Sequence, residues 1–149
     1  MVAIGSDHGG FDLKKDLIPF IVELGWRTRD VGTDSERSCD YPDFAYAVAR
    51  LVTSGEAAFG IMIDGAGIGS AVACNKVPGA RAACAYNEFT ARNSRAHNNA
   101  NILTLGSRTL GIEVCKSVVR AFLSTDFEGG RHQNRVDKIS DIERRFSRP

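Results

Sequence analysis

Several features that would mark a special class of protein are missing from this sequence. No apolar run approaches the roughly 20 residues that a membrane-spanning helix needs. The amino end has no basic segment followed by an apolar one, the pattern of a secretory signal. The 19 Lys and Arg almost balance the 18 Asp and Glu, so no broad charge favours nucleic acid or an anionic membrane. We therefore expect a cytoplasmic protein with neither partner.

Cysteine pairs and zinc-ligand spacings are also absent. The four cysteines lie far apart, with no CxxC pair and no Cys/His spacing typical of a structural zinc site. We expect Cys39, Cys74, Cys84 and Cys115 to be reduced thiols in or near the core.

The composition that is present predicts one folded domain. Apolar residues make up 43% and charged residues 25%, which excludes a disordered or collagen-like chain. The 149 residues suffice for one sizeable core, and no repeat or linker divides them. We therefore expect a single domain over residues 1–149.

Short apolar runs that end in glycine-rich loops alternate with segments of helical period, the pattern of a parallel sheet covered on both faces. The expected strands are residues 2–5, 26–31, 58–63, 81–85 and 101–105. The expected helices are residues 11–24, 42–53, a short one from the glycine loop to about residue 75, 87–98, 110–123 and a closing one at 135–146. The last helix is charged, and we expect it to pack on a second subunit.

The loop after the first strand carries an acid and an imidazole beside two glycines, in the run Ser6-Asp7-His8-Gly9-Gly10. Ligands of open parallel sheets bind outside the carboxyl ends of the strands, so this loop is a candidate site. The same residues also suit a plain helix cap, in which Asp7 or Ser6 accepts hydrogen bonds from backbone amides. Both interpretations stay open at this point.

The loop after the third strand, residues 64–70, has glycines at alternate positions before a helix. Such a loop can turn several N–H groups toward one point and form a nest for an anion. Its spacing is GxGxG after the third strand, which differs from the GxGxxG fingerprint of dinucleotide enzymes. The loop therefore predicts an anion site and argues against a dehydrogenase.

Three arginines form a candidate phosphate clamp in an otherwise nearly neutral chain. Arg131 and Arg135 are four residues apart, so both guanidinium groups could grip one phosphate together with Arg108. A solvated basic face is the alternative for such a pair. His97 ends a predicted helix, where a cationic ring could simply interact with the helix dipole.

Taken in order, these clusters resemble the ribose/galactose isomerase family over nearly the whole chain. The matching runs are Ser6 to Gly10, Asp40-Tyr41-Pro42, Gly65 to Gly69, Ala73 to Gly79, His97-Asn98, Leu105 to Arg108 and Gly129 to Gln133. The resemblance implies a three-layer α/β/α, doubly wound (Rossmann-like) fold with a five-stranded parallel sheet. It also implies a homodimer or dimer of dimers with shared sites, and neither metal nor cofactor. The implied reaction interconverts an aldose phosphate and its ketose through a cis-enediolate, with ribose 5-phosphate and ribulose 5-phosphate as the expected pair.

The resemblance also implies a role for each matching residue. The phosphate would be held by Arg131, Arg135, His8 and Arg108. Ring opening would be assisted by His97 and Asp7, and Tyr41 would line the pocket. The backbone amides of the loop would stabilise the enediolate oxygen, as donors placed where charge develops; these belong to Gly65, Ala66, Gly67, Ile68 and Gly69. In this family His97, Asn98 and Arg108 tend to come from the neighbouring subunit.

Two departures from the family pattern affect the expected chemistry. Most members have Cys-Gly-Thr-Gly where this chain has Asp64-Gly65-Ala66-Gly67, and that cysteine moves the proton between the sugar carbons. Asp64 is the only carboxylate in the loop and is therefore the candidate base. Ala66 replaces a threonine hydroxyl associated with ring opening.

These departures leave several functions open. A four-carbon 4-phosphate needs no ring opening because its O4 is esterified, whereas the smaller Ala66 side chain could instead admit a six-carbon sugar. One subunit type of the two-component galactose-6-phosphate isomerases also has Asp here, so a partner-dependent subunit is an alternative. A non-catalytic sugar-phosphate binder is the alternative from a different functional class.

Overall fold

Five parallel strands form one central sheet in the computed structural model of the protein, which describes residues 1–147. The strands are β1 (Val2–Ser6), β2 (Thr28–Asp30), β3 (Phe59–Asp64), β4 (Ala82–Cys84) and β5 (Ile102–Gly106). They are hydrogen-bonded in the order β2-β1-β3-β5-β4, and every pair is parallel. The predicted five-stranded doubly wound sheet is therefore confirmed.

Six α-helices connect or follow the strands. They are α1 (Phe11–Glu23), α2 (Tyr41–Thr53), α3 (Ile68–Cys74), α4 (Glu88–Ala96), α5 (Ile112–Ser124) and α6 (Gln133–Phe146). Short 3-10 turns precede α1 at His8–Gly10 and α6 at Gly130–His132. Within residues 1–147, no helix has the length and apolar character to cross a lipid bilayer.

Two hydrophobic cores lie on opposite faces of the sheet. On one face α1, α4 and α5 pack against Ile4, Ile61 and other strand residues, while α2 and α3 cover the face to which Ala3 and Met62 point. Successive strand residues point to opposite faces, so a strand buried on both sides is apolar throughout. This explains why the predicted strands could be recognised as continuous apolar runs.

The element boundaries agree with the predictions within two residues, and the carboxyl-terminal helix is among those that differ by two. It begins at Gln133 rather than 135, because a 3-10 turn leads directly into it. Gly129 and Gly130 have φ of +64° and +53°, a left-handed conformation that glycine adopts without strain. The two glycines therefore reverse the chain before the turn.

A buried lysine ties α1 to the loop that follows β2. The Lys14 side chain is 2% exposed and pairs with Asp30 Oδ2 at 2.8 Å. Its ammonium group also donates to the Thr33 carbonyl oxygen at 2.6 Å. Helical periodicity did not reveal this interaction, because a lysine in an amphipathic helix is normally on the solvent face.

Candidate active site

The loop after β1 is shaped by the Asp7 carboxylate. Asp7 Oδ1 accepts hydrogen bonds from the Gly9 amide at 2.9 Å and the Gly10 amide at 3.2 Å. The side chain thus caps the 3-10 turn rather than α1, whose first amides receive no side-chain cap from residues 1–147. Asp7 Oδ2 accepts no hydrogen bond from residues 1–147, which leaves one carboxylate oxygen for a ligand.

His8 is oriented by a backbone amide. Its Nδ1 accepts a hydrogen bond from the Cys39 N–H at 3.2 Å, and Cys39 Sγ lies 3.9 Å from the same nitrogen. A ring nitrogen that accepts is unprotonated, so the neutral ring carries its proton on Nε2. His8 therefore presents an N–H donor away from Cys39, as an anion-binding histidine requires.

The glycine loop after β3 surrounds the carboxylate of Asp64, which is 5% exposed. Its Oδ1 accepts from the Ala66 amide at 3.0 Å and from the Gly67 amide. Its Oδ2 accepts from the Ser70 amide at 3.0 Å and the Ser70 hydroxyl at 2.7 Å. The predicted nest of amides is thus present, but the protein's own carboxylate occupies part of it.

The loops after β1, β3 and β5 contact one another at the carboxyl edge of the sheet. Arg108 N–H donates to the Gly65 carbonyl oxygen at 3.0 Å, and Ser107 Oγ donates to the Gly9 carbonyl oxygen at 2.6 Å. A Cβ built on Gly69 would lie 2.5 Å from the Tyr41 ring, so Tyr41 packs directly over the loop. We call this group the carboxyl-edge cluster; its members are Asp7, His8, Tyr41, Asp64, Gly65, Ala66, Gly67, Ile68, Gly69 and Arg108.

The remaining predicted site residues lie at the opposite edge of the sheet. The chain runs up β4, back along α4 and up β5, so the segment that follows α4 lies at the amino ends of the strands. Hydrogen bonds hold it there, from Asn101 N to Arg81 O at 3.0 Å and from Glu128 N to Ala96 O at 3.0 Å. The amino-edge cluster is His97, Asn98, Glu128, Arg131, His132 and Arg135.

Two imidazoles are stacked in the amino-edge cluster. The rings of His97 and His132 have centroids 4.0 Å apart and an interplanar angle of 15°. Burial lowers the pKa of His132, and the nearby His97 and Arg131 lower it further. Glu128 and His132 were not among the predicted site residues; His132 stands in one of the matching runs, but nothing in the sequence indicated its stacking on His97.

Three arginines of the predicted phosphate clamp are exposed and unpaired. Within the described part of the chain, no carboxylate forms a salt bridge with Arg108, Arg131 or Arg135. Arg108 lies with the glycine loop, whereas Arg131 and Arg135 lie with His97. The resemblance instead grouped Arg108 with His97 and Asn98, so this part of the expected arrangement differs from the structure.

The two clusters are separated by the length of the sheet. A five-residue strand spans roughly 15 Å at about 3.3 Å per residue. Residues at the carboxyl and amino ends of such strands cannot contact one small sugar phosphate within one chain.

Comparison with known proteins identifies the family. A model of the ribose/galactose isomerase family matches residues 2–139. The chain belongs to this family. It is 44% identical to ribose-5-phosphate isomerase B of Escherichia coli, and the match covers 97% of both chains. It is 48% identical to the solved ribose-5-phosphate isomerase B of Clostridium thermocellum, with a TM-score of 0.96 over 98% of this chain and 99% of that one. It is also 36% identical to the D-erythrulose-4-phosphate isomerase of Pectobacterium atrosepticum, over 95% of this chain and 94% of that protein.

Proposed function

We propose that this protein interconverts ribose 5-phosphate and ribulose 5-phosphate at sites shared between two copies of the chain. The relatives named ribose-5-phosphate isomerase B support the substrate. We assign the activity to the cytoplasm, where the four free cysteines stay reduced.

The separation of the two clusters is the main observation that supports a site shared between two copies of the chain. The carboxyl-edge cluster has the glycine loop and His8, and the amino-edge cluster has His97 and two of the arginines. Only a second copy, placed with its amino edge against the carboxyl edge of the first, brings both sets to one substrate. A two-fold axis then creates two equal sites.

Exposed apolar side chains support such an assembly. Tyr46 and Val72 on α2 and α3 are more than half exposed, and α6 exposes Ile142 and Phe146. A groove of about 740 Å³ lies between α6 and the edge strand β4, and Asn98 is on its wall. Exposed apolar side chains that line surface grooves are typical of protein interfaces.

In the proposed complex the phosphate is bound from both sides. His8 Nε2 and Arg108 belong to one copy, and Arg131 and Arg135 to the other. Guanidinium groups bind phosphate oxygens in pairs, and these three arginines form no salt bridge with the described residues. The phosphate anchors one end of the sugar and leaves the carbonyl end at the glycine loop.

Proton transfer is assigned to Asp64. Its four hydrogen bonds occupy the lone pairs, so one donor must leave before the carboxylate can accept a proton from the sugar. The Ser70 hydroxyl can rotate away, whereas the backbone amides cannot. The amides of Ile68 and Gly69 donate to no acceptor within residues 1–147, and they remain for the enediolate oxygen.

Ring opening is assigned to His97 of the second copy and to Asp7 of the first. The His97 side chain is partly exposed, and Asp7 Oδ2 is without a partner in the described chain. One group takes the proton of the anomeric hydroxyl while the other protonates the ring oxygen.

A tetrose 4-phosphate is the second candidate substrate. Ala66 supplies no hydroxyl at the position where most of the family has threonine, and an open-chain tetrose 4-phosphate needs none. The D-erythrulose-4-phosphate isomerase among the relatives shows that this family includes such an activity.

A substrate panel on the purified chain tests the proposal. Ribose 5-phosphate, erythrose 4-phosphate and a hexose 6-phosphate are compared by kcat/KM, with solvent deuterium incorporation next to the carbonyl. The highest value is expected for the pentose. A clear preference for the tetrose establishes the second candidate, and a preference for the hexose refutes both. Binding without deuterium exchange indicates a binder or a subunit that needs a different partner.

A further inference from the structure

Three metal-ligating side chains converge in the amino-edge cluster. Glu128 Oε2 lies 3.4 Å from His132 Nε2 and 3.9 Å from His97 Nε2. The donor atoms of the three residues all lie within 4.8 Å of one another. Two ligands of a tetrahedral zinc ion, each about 2 Å from the metal, lie about 3.3 Å apart. The three donors are therefore already near the spacing that a metal ion requires.

His132 Nε2 is the atom that points to a ligand. The His132 side chain is 3% exposed, and its Nε2 is buried without a hydrogen-bond partner in residues 1–147. A buried polar atom in a folded protein normally has a partner, because an unpaired one loses its hydration without replacement. The unpartnered nitrogen faces Glu128, at a distance too long for a strong hydrogen bond.

We propose that His97, Glu128 and His132 bind one divalent transition-metal ion, with Zn²⁺ as the preferred ion. Two imidazoles and one carboxylate are a common zinc donor set, with water as the fourth ligand. Asn93 Nδ2 lies 3.0 Å from His97 Nδ1. Turning this amide by 180° would place its oxygen against the ring, where it would accept the Nδ1 proton and leave Nε2 free for the metal.

Binding requires a small rearrangement of the stacked rings. Nearly parallel imidazoles cannot both point at one ion, so one ring must turn. His97 is 38% exposed and free to do so, whereas His132 is enclosed. Arg131 and Arg135 repel a cation, and we therefore expect reversible binding rather than a permanent structural site.

Metal binding would compete with catalysis. His97 is the residue assigned to ring opening, and an imidazole bound to a metal through Nε2 cannot exchange a proton there. This consequence rests on the proposed function, but the binding itself does not.

Calorimetric titration of the metal-free full chain with ZnCl₂ tests the binding. We expect one ion per chain, and we expect His97→Asn and Glu128→Gln each to weaken binding by roughly tenfold to a hundredfold, the range for losses even in the outer shell of metal sites. His8→Asn is the matched control, because it removes the third histidine of the chain at the opposite edge. Its affinity for Zn²⁺ is expected to equal that of the unmodified protein.

Co²⁺ substitution distinguishes these ligands from the cysteines. The expected visible spectrum has d–d bands of nitrogen and oxygen ligands, with no thiolate charge-transfer band in the near ultraviolet. Absence of binding at millimolar free Zn²⁺ or a thiolate band would overturn the proposal. It would also be overturned if His97→Asn and Glu128→Gln both bound Zn²⁺ as tightly as the unmodified protein. The isomerase assay plays no part in this measurement, so its outcome is independent of the proposed reaction.

Discussion

Ser70 donates twice to Asp64, from its amide at 3.0 Å and from its hydroxyl at 2.7 Å, both to Oδ2. The amides of Ala66 and Gly67 donate to Oδ1. Through these bonds Asp64 stabilises the conformation of the glycine loop, which carries the proposed chemistry. The structural role and the role as a base conflict, because each hydrogen bond that stabilises the loop also occupies a lone pair that could accept a proton. Variants of the two residues separate these roles.

Ser70→Ala removes the hydroxyl donor and leaves the amide in place. We expect the free energy of unfolding to fall by about 1.5 to 3 kcal/mol, the range for a hydrogen bond to a charged group. The measurement is denaturant unfolding, with kcat/KM recorded in parallel. Ser6→Ala is the matched control, because Ser6 Oγ is buried without a partner among residues 1–147 and its removal should cost little. Equal losses in both variants would contradict the assigned bond.

Asp64→Asn and Asp64→Cys test the carboxylate as the base. Asparagine has one acceptor and one donor at its end, so it cannot accept all four bonds or take a proton, and we expect no turnover. Binding of inorganic phosphate should change little, because the arginines are untouched. Asp64→Cys restores the usual thiol of the family, and we expect part of the turnover to return. Undiminished turnover in Asp64→Asn would refute the proposed base.

Subunit complementation tests the shared site. Arg108→Ala damages the carboxyl-edge cluster and His97→Asn the amino-edge cluster, so each pure variant should be nearly inactive. In an equal mixture refolded together, half of the dimers contain both chains, and each of these has one intact site of two. The expected activity is about a quarter of the unmodified level.

The control for this experiment uses two substitutions that both lie in the carboxyl-edge cluster. A mixture of Arg108→Ala with His8→Asn puts a defect in every site, so no recovery is expected. Recovery in this second mixture, or none in the first, would contradict the proposed assembly.

The sequence predicted the sheet well because the buried strands are continuous apolar runs and the helices keep a clear period. It also identified the loops at the carboxyl edge, since parallel strands bring those loops together. It could not show that His97 and Arg108 lie at opposite edges, because that depends on the path of α4 and β5 in space. It could not show that Asp64 already binds the loop amides, because a carboxylate next to glycines is equally compatible with a catalytic base and with a structural hydrogen-bond acceptor.

Lys14→Met tests a contact that periodicity did not reveal. Methionine keeps most of the volume of the buried side chain but loses the bonds to Asp30 and to the Thr33 carbonyl. We expect a loss of about 2 to 3 kcal/mol in unfolding free energy, because the carbonyl is left unpaired inside the protein. Lys15→Met is the control on the exposed side of the same helix and should be near neutral. A near-neutral Lys14→Met would show that the pair contributes little.

Cysteine alkylation separates the four thiols by their surroundings. Burial raises the pKa of Cys74 to about 12, and burial also raises the pKa of Cys115. A raised thiol pKa means almost no reactive thiolate near pH 8, and both side chains are also enclosed. Iodoacetamide should therefore modify Cys39 and Cys84, which are partly exposed, while Cys74 and Cys115 react only after unfolding.

Phosphate protection extends this test to the proposed site. Cys39 contacts His8, which is assigned to the phosphate, whereas Cys84 ends β4, which is separated from β1 by two strands in the sheet order, and lies 3.8 Å from the Ala66 carbonyl oxygen. Ribose 5-phosphate should slow the alkylation of Cys39 several-fold and that of Cys84 less, as followed by peptide mass spectrometry. Equal protection of both thiols would point to a general tightening of the fold, and protection of neither would remove His8 from the phosphate site.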